Sequence, residues 1–264
     1  MSDLDAMAAR LDAAARDATP IAQLAEFTPG ARLSLDEAYV VQRASIERRI
    51  DRGEIAVGVK LGFTSRAKML QMGVDSLIWG WLTDAMLEED GGRVALERFI
   101  HPRVEPEVCF LTSRDIDRPL TLLEAAQYLD AAAPALEIID SRYRDFKFSL
   151  EDVVADNCSS AGLTIGPWTR RFDALANAGV LMRMNGRIVQ TGSTAAILGH
   201  PLRSVVQASR LVAQSGLVLP AGSLIMAGAA TAAHALAPDT HVHCLVNELG
   251  STEFTTASTN HRLS

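Results

Sequence analysis

Apolar residues Leu4, Met7, Ala8, Leu11 and Ala14 recur three and four positions apart, so one face of residues 3–18 is hydrophobic and a helix is predicted that stops before Pro20. Ser34-x-x-Glu37 is a capping box, and a second helix is predicted from it, with Leu35, Tyr39, Ile46 and Ile50 as its stripe and Gly53 as its stop. Thr121-x-x-Glu124 predicts a third helix running to Ala133, and Pro201 opens a fourth that ends at Gly216. Strands are predicted at 104–111, 135–140, 181–184, 188–190, 223–227, 242–247 and 251–255. Asn185-Gly186 between two apolar runs signals a hairpin, because both turn positions need positive φ. With few helices between strands, a doubly wound sheet does not fit. The pattern predicts an α+β fold: a helical N-terminal segment, 1–75, packed on a mostly antiparallel, sandwich-like β-rich part, 76–264.

The chain has 264 residues with 48% hydrophobic and 22% charged, an ordinary globular composition. Its net charge is −7 and no Lys/Arg run exceeds a pair, so the basic stripe that a phosphate backbone requires is missing and no nucleic acid partner is expected. Apolar stretches are broken well before the roughly 18 residues a membrane span needs, and the start of the chain carries Ser2, Asp3 and Asp5 in place of a signal sequence. A cytoplasmic protein is expected. Cys109, Cys158 and Cys244 form no C-x-x-C pair and read as small buried hydrophobes.

Candidate chemistry begins with Arg103-Val104-Glu105-Pro106-Glu107. On a strand, Glu105 and Glu107 share a face, and Pro106 removes a ladder donor, which implies an edge or a bulge. Two adjacent carboxylates repel unless a positive charge lies between them, and a hard divalent cation with oxygen ligands suits that position; a solvated edge strand is the plain alternative. Glu137 lies within the apolar run 133–139, where a carboxylate is rarely left unpaired. It either completes a three-carboxylate site or forms an ion pair with Arg103 or Arg142. Lys60, between Gly58 and Gly62, is either snorkelling or held in a site, where its ammonium would stabilise negative charge on a substrate oxygen. The small, polar run 153–162 is a turn or a pocket lining. His241-x-His243 ranks below the carboxylates as a metal site, Arg66 and Lys68 read as solvated charge, and no nucleotide-binding fingerprint is present.

These pieces, taken in order with Met72-Gly73-Val74-Asp75, Asp156-Asn157, Gly199-His200-Pro201-Leu202 and Pro220-Ala221-Gly222, resemble the 2-oxopent-4-enoate hydratase and 4-oxalocrotonate decarboxylase family of the fumarylacetoacetate hydrolase superfamily. The resemblance implies a fumarylacetoacetate-hydrolase-like domain around one Mg2+ or Mn2+, with Glu105, Glu107 and Glu137 at the metal positions and Lys60 and Ser160 at active-site positions. The hydratase pattern carries an Asp-Phe-Gly run where this chain has Ile78-Trp79-Gly80. Asp140-Ser141-Arg142-Tyr143 followed by Phe146-Lys147-Phe148 resembles the decarboxylase branch. The implied activity is metal-dependent decarboxylation of 2-oxohex-3-enedioate, a small 2-oxo-enoate dicarboxylate. The alternatives are hydration of 2-hydroxypenta-2,4-dienoate and a non-catalytic partner subunit. Leu61, Ile78 and Trp79 are expected as an apolar wall, and Arg142 or Lys147 as the attraction for the substrate's far end. Gly228-Ala229-Ala230-Thr231 departs from the more usual Gly-Gly, and Ala229 is expected to narrow the pocket. A homo-oligomer is expected, with a possible complex with a paralogous hydratase.

Overall fold

The computed structural model describes residues 2–26, 33–65 and 77–257. Met72 to Asp75, and the expectations for Arg66 and Lys68, lie outside the described residues. Helix α1 spans Asp3–Arg16, capped by Ser2, whose hydroxyl accepts from the Asp5 backbone at 3.2 Å, and it buries Met7, Ala8, Leu11 and Ala14. Helix α2 spans Leu35–Asp51 from the predicted capping box. Its buried face differs from the predicted stripe: Ala38, Val41, Gln42, Ser45 and Ile46 face inward, whereas Ile50 is 42% exposed. Small residues on that face let α2 lie close to α1 and to the short helix at 150–155.

Strands β1 (Ala56–Gly62) and β2 (Ile78–Thr83) follow, then β3 (Leu87–Glu88), β4 (Arg93–Ala95) and β5 (Arg103–Thr112). The third predicted helix is corrected. It lasts one turn, α3 (Leu122–Ala125), and strand β6 starts at Leu129 and runs to Ile139. Ala131, Ala132 and Ala133 are good helix formers, yet they pair with Leu111, Phe110 and Cys109 of β5, so pairing in the sheet overrides local propensity. Helix α4 (Leu150–Ala155) escaped the sequence reading although Ser149 and Asp152 form its capping box. Strands β7 (Ser160–Ile165), β8 (Gly179–Met184) and β9 (Arg187–Ser193) come next. The turn joining β8 to β9 is the predicted one, with φ of 48° at Asn185 and 78° at Gly186. Helix α5 (Leu202–Gln214) precedes β10 (Leu224–Met226), β11 (His234–Ala235), β12 (His241–Val246) and β13 (Gly250–Ala257).

Two sheets form. The larger runs β2-β1-β10-β5-β6-β7-β3, with β11 also on β5, and the smaller runs β4-β13-β12-β8-β9. Most pairs are antiparallel, while β1 with β10, β3 with β7 and β4 with β13 are parallel. Strands β12 and β13 pack across β6, and Leu136, Ile138, Met182, Val242, Cys244 and Phe254 fill the core that also includes Val205 and Val212 of α5. β5 has no bulge at Pro106 and is not an edge, contrary to the sequence expectation. The Pro106 carbonyl accepts from the Ala230 backbone nitrogen at 2.9 Å, so the missing donor faces the 227–233 loop, between β10 and β11, and the ladder to β6 stays intact. α1, α2 and α4 enclose a second cluster with Ile78, Tyr143 and Cys158.

Candidate active site

Register explains why distant acids meet. Glu105 on β5 stands opposite Glu137 on β6, and Glu107 is one pleat further along the same face. Oxygens of the three carboxylates lie within 4.8 Å of one another. Lys60 on β1 pairs with Met226 of β10, itself opposite Cys109, so the lysine projects from the face carrying the acids. Its Nζ lies 3.1 Å from Glu137 Oε1 and donates to the Cys158 carbonyl at 3.0 Å. Gly228 N–H donates to Glu107 Oε2 at 2.8 Å. Gly228 has φ of 105°, and a Cβ there would lie 2.1 Å from Thr64 Oγ1, so only glycine brings this amide to the carboxylate.

The electrostatics of the cluster are unbalanced. Burial and the Glu137 carboxylate push Glu107 well above the usual carboxylate range, against the pull of Lys60. Burial also raises Glu137, which Lys60 opposes. For Lys60 burial works toward deprotonation, but Glu137, Glu107 and Glu105 more than offset it, and the ammonium is raised. Glu107 Oε1 and both Glu137 oxygens are buried without a hydrogen bond, the Lys60 contact being a charge contact outside hydrogen-bond geometry. Leaving carboxylate oxygens in this state is costly. Among the described residues three carboxylates face one ammonium, an excess of negative charge that a divalent cation offsets, and an all-oxygen donor set suits Mg2+ or Mn2+.

The carbonyl that holds Lys60 belongs to a strained turn. Asn157, Cys158 and Ser159 all have left-handed backbones, with φ of 49°, 52° and 58°. Such residues cost about 1–3 kcal/mol each and persist only where surroundings enforce them. The Asn157 side chain substitutes for a strand partner: its Oδ1 accepts from Trp81 N at 2.7 Å and its Nδ2 donates to Trp81 O at 2.9 Å. Gln42 of α2 donates to Trp79 O at 3.0 Å and Val154 O at 2.8 Å, tying strand to helix. Gly80, opposite Lys60, makes room for the turn, since a Cβ there would lie 2.6 Å from the Asn157 carbonyl oxygen. Sequence reading left 153–162 as a turn or a pocket lining and missed the roles of Asn157, Gly80 and the Cys158 carbonyl.

Residues 57–256 match the family described as fumarylacetoacetate (FAA) hydrolase C-terminal. The chain belongs to this family. It is 52% identical over 250 residues to a 4-oxalocrotonate decarboxylase of a Pseudomonas species, covering 95% of this chain and 96% of that protein. A 2-keto-4-pentenoate hydratase of Paraburkholderia xenovorans LB400 is 38% identical over 240 residues, covering 89% and 88%. Among solved structures, 4-oxalocrotonate decarboxylase from Pseudomonas putida G7, complexed with magnesium and adipate, superposes with a TM-score of 0.91 at 37% identity, covering 96% of this chain and 97% of that one.

Within this family fold the other expected residues separate. Ile78 shares the face of Lys60, because it pairs with Gly62 and is two positions from Gly80. Leu61 and Trp79 pair with each other one step out of phase, so both point to the opposite face and into the main core. Ser160 is buried, and its hydroxyl donates to the Met86 thioether at 3.8 Å, a weak acceptor. Arg142 is not solvated: it is 5% exposed, its guanidinium bonds the Asp156 side chain and backbone, and Nη1 donates to Ser160 O at 3.3 Å. Burial outweighs this partner and pushes Asp156 up to about 6. Lys147 is exposed, in a shallow surface pocket with Ile21, Glu26 and Arg144. His241 and His243 lie on the smaller sheet, His241 3.3 Å from Glu253. All three cysteines are buried, as expected.

Proposed function

We propose that the chain catalyses divalent-metal-dependent decarboxylation of 2-oxohex-3-enedioate to 2-hydroxypenta-2,4-dienoate and CO2. The carrying observation is the buried cluster of Glu105, Glu107, Glu137 and Lys60, set in a chain 52% identical to a 4-oxalocrotonate decarboxylase. Glu105, Glu107 and Glu137 would hold the cation. A bound Mg2+ or Mn2+ supplies Lewis acidity at the substrate's α-keto acid end. As the C5–C6 bond breaks, its electron pair forms the C4–C5 double bond, the C3–C4 double bond shifts to C2–C3, and negative charge collects on the C2 oxygen. Lys60, fixed by Glu137 and the Cys158 carbonyl, presents its ammonium to that oxygen without reorganising. Ser160, whose described partner is only a weak acceptor, orients the substrate.

Where the hydratase pattern carries an aspartate, this chain presents Ile78, 2% exposed on the Lys60 face. An apolar group there disfavours a water-activating role. Leu61 and Trp79 support this wall from behind the sheet, and Arg142 holds the Asp156 to Ser160 segment in place of contacting substrate. The decisive assay measures CO2 from 2-oxohex-3-enedioate with and without chelator. CO2 release abolished by chelator and restored by Mg2+ supports the reading; loss of ultraviolet absorbance of 2-hydroxypenta-2,4-dienoate with no CO2 from the diacid would replace it with hydration.

The expected division at residue 75 would cut through the site, because β1 with Lys60 lies between β2 and β10 in the larger sheet; α1 and α2 serve as the helical segment, and the strands from β1 onward as the catalytic part. A homo-oligomer is supported by Ile55, 64% exposed, and Leu87, 41% exposed, flanking the half-buried Val57, Leu111 and Ile165. Relatives with hydratase activity make a paralogous hydratase a candidate partner. No helix among the described residues is long and apolar enough to cross a membrane, which is consistent with a cytoplasmic location.

A further inference from the structure

The carboxylate cluster is buried among the described residues. Along β5, Glu107 is 1% exposed, Glu105 7% and Arg103 exposed, so contact with solvent grows toward residue 103. The ladder is regular from Arg103 opposite Ile139 to Glu105 opposite Glu137, which puts Arg103 on the carboxylate face, one pleat repeat beyond Glu105. Arg103 is exposed and makes no ion pair among the described residues. It lies instead over an aromatic ring, with its guanidinium carbon 4.4 Å from the Phe146 centroid.

That ring is fixed in place. Phe146 and Asp145 both have φ of 58°, an unusual conformation for a bulky side chain, and strain of this kind gathers at ligand clamps. His101 packs on Phe146 with centroids 5.0 Å apart, and Phe148 lies on its other flank at 5.9 Å. The backbone amides of Ile100 and His101 are anchored by the two Asp140 oxygens, at 2.8 Å each. A stacked guanidinium keeps its donor edge free and its plane set, which favours bidentate capture of a carboxylate.

We propose that Arg103, stacked on Phe146, is the specificity-determining residue that binds the substrate's distal carboxylate. This rests on the decarboxylase reading for the site itself. Arg142 and Lys147, the cations expected from sequence, do not serve: one is committed to Asp156 and the other faces away in a surface pocket. The distal carboxylate is the group that departs as neutral CO2, so its pairing with Arg103 is stronger in the ground state than in the transition state. Arg103 therefore contributes to recognition and register of the substrate, and its loss appears in KM and not as a lowered kcat.

The test uses the full chain loaded with Mg2+. Inhibition constants are measured for 2-oxohexanedioate and for 2-oxohexanoate, which lacks the far carboxylate, alongside kcat and KM for 2-oxohex-3-enedioate. The wild-type protein is expected to favour the diacid by about ten-fold or more, as a charge-assisted pair supplies. Arg103→Gln abolishes the preference, leaves the 2-oxohexanoate constant within about two-fold, and raises KM without lowering kcat. Arg103→Lys recovers part of the preference, and Phe146→Leu, which keeps the charge but removes the platform, falls between. A diacid preference that survives in Arg103→Gln overturns the assignment, as does a fall in kcat with KM unchanged. Wild-type protein that prefers the diacid through Arg103 yet releases no CO2 would fail the decarboxylase reading and support the Arg103 assignment.

Discussion

Replacing Gly80 with alanine tests whether the strained 157–159 turn positions Lys60. The added Cβ would lie 2.6 Å from the Asn157 carbonyl oxygen, 2.9 Å from its Oδ1 and 3.1 Å from its carbonyl carbon. Reaching an ordinary contact of about 3.4 Å requires the turn to retreat from β2 by somewhat under 1 Å, and the nearest atoms are backbone, which cannot rotate aside. Overpacking of this kind costs about 1–3 kcal/mol. For a protein of this size that lowers Tm by several degrees, at roughly 2–4 °C per kcal/mol. The larger effect falls on catalysis. Cys158 O is 3.0 Å from Lys60 Nζ, and a shift of that size breaks the hydrogen bond. The ammonium then leans toward Glu137 and away from the substrate oxygen. A misplacement near 1 Å costs about 10²-fold in rate. The assay is kcat for CO2 release at saturating Mg2+ beside thermal unfolding of Gly80→Ala. Gly179→Ala serves as the control, because nothing lies within 4 Å of the Cβ it would add. Gly80→Ala with wild-type kcat and a lowered Tm would refute the positioning argument, leaving the turn a packing feature.

Lys60→Met removes the buried cation that contacts Glu137 and is expected to abolish CO2 release and to destabilise the metal-free protein by about 3–5 kcal/mol in urea unfolding, with a smaller loss when Mg2+ is present. Mg2+ at about 100 times its Kd is expected to stabilise the wild-type protein by about 2.7 kcal/mol, read as a rise in Tm that Glu107→Gln eliminates. Asp156, held at about 6 in the fold against 3.8 unfolded, keeps a proton that the unfolded chain has already released between those values. Its contribution to stability is therefore greatest below pH 4 and is lost as pH rises through 6, and Asp156→Asn should remove that component of the pH slope in denaturant midpoints measured at pH 4.5 and 7. Ser149→Ala breaks the capping box of α4, whose Ser149 Oγ accepts from Asp152 N at 3.1 Å, and is expected to cost about 1 kcal/mol by the same unfolding measurement.

Much of the site was legible because its signals are local: two acids at i and i+2, a third acid in an apolar strand, and a lysine between glycines. The register that brings Glu105 opposite Glu137 has no sequence signature, so the residues alone left Glu137 between a three-carboxylate site and an ion pair, and the resemblance favoured the first. Arg142 was expected to meet Glu137 or the substrate, whereas the buried Asp156 that pairs with it lies fourteen positions away, beyond any local rule. Alternation along β2 would have sent Trp79 to the opposite face from Ile78, and the apolar-wall expectation grouped them by composition alone. At 228–231 attention fell on the departure at Ala229, but the value of Gly228 lies in a backbone amide, which composition does not reveal.

The helical layer contributes to catalysis through the backbone it immobilises. Lys60 needs a fixed acceptor, and the Cys158 carbonyl is brought to 3.0 Å by a run of three left-handed residues, a conformation that a free chain would abandon. Three sources hold it: the Asn157 amide on β2, the Cys158 thiol on Trp79 O at 3.0 Å, and Gln42, which reaches from α2 to the same carbonyl and to the end of α4. Gln42 is 1% exposed, and its buried amide is satisfied by donating to two buried carbonyls, Trp79 O and Val154 O. The cost of a polar residue on the buried face of α2 is thus the means by which helix, strand and strained turn become one rigid support. That coupling accounts for a helix whose apolar stripe is weak and whose buried face carries an amide bonded to the strand beneath it.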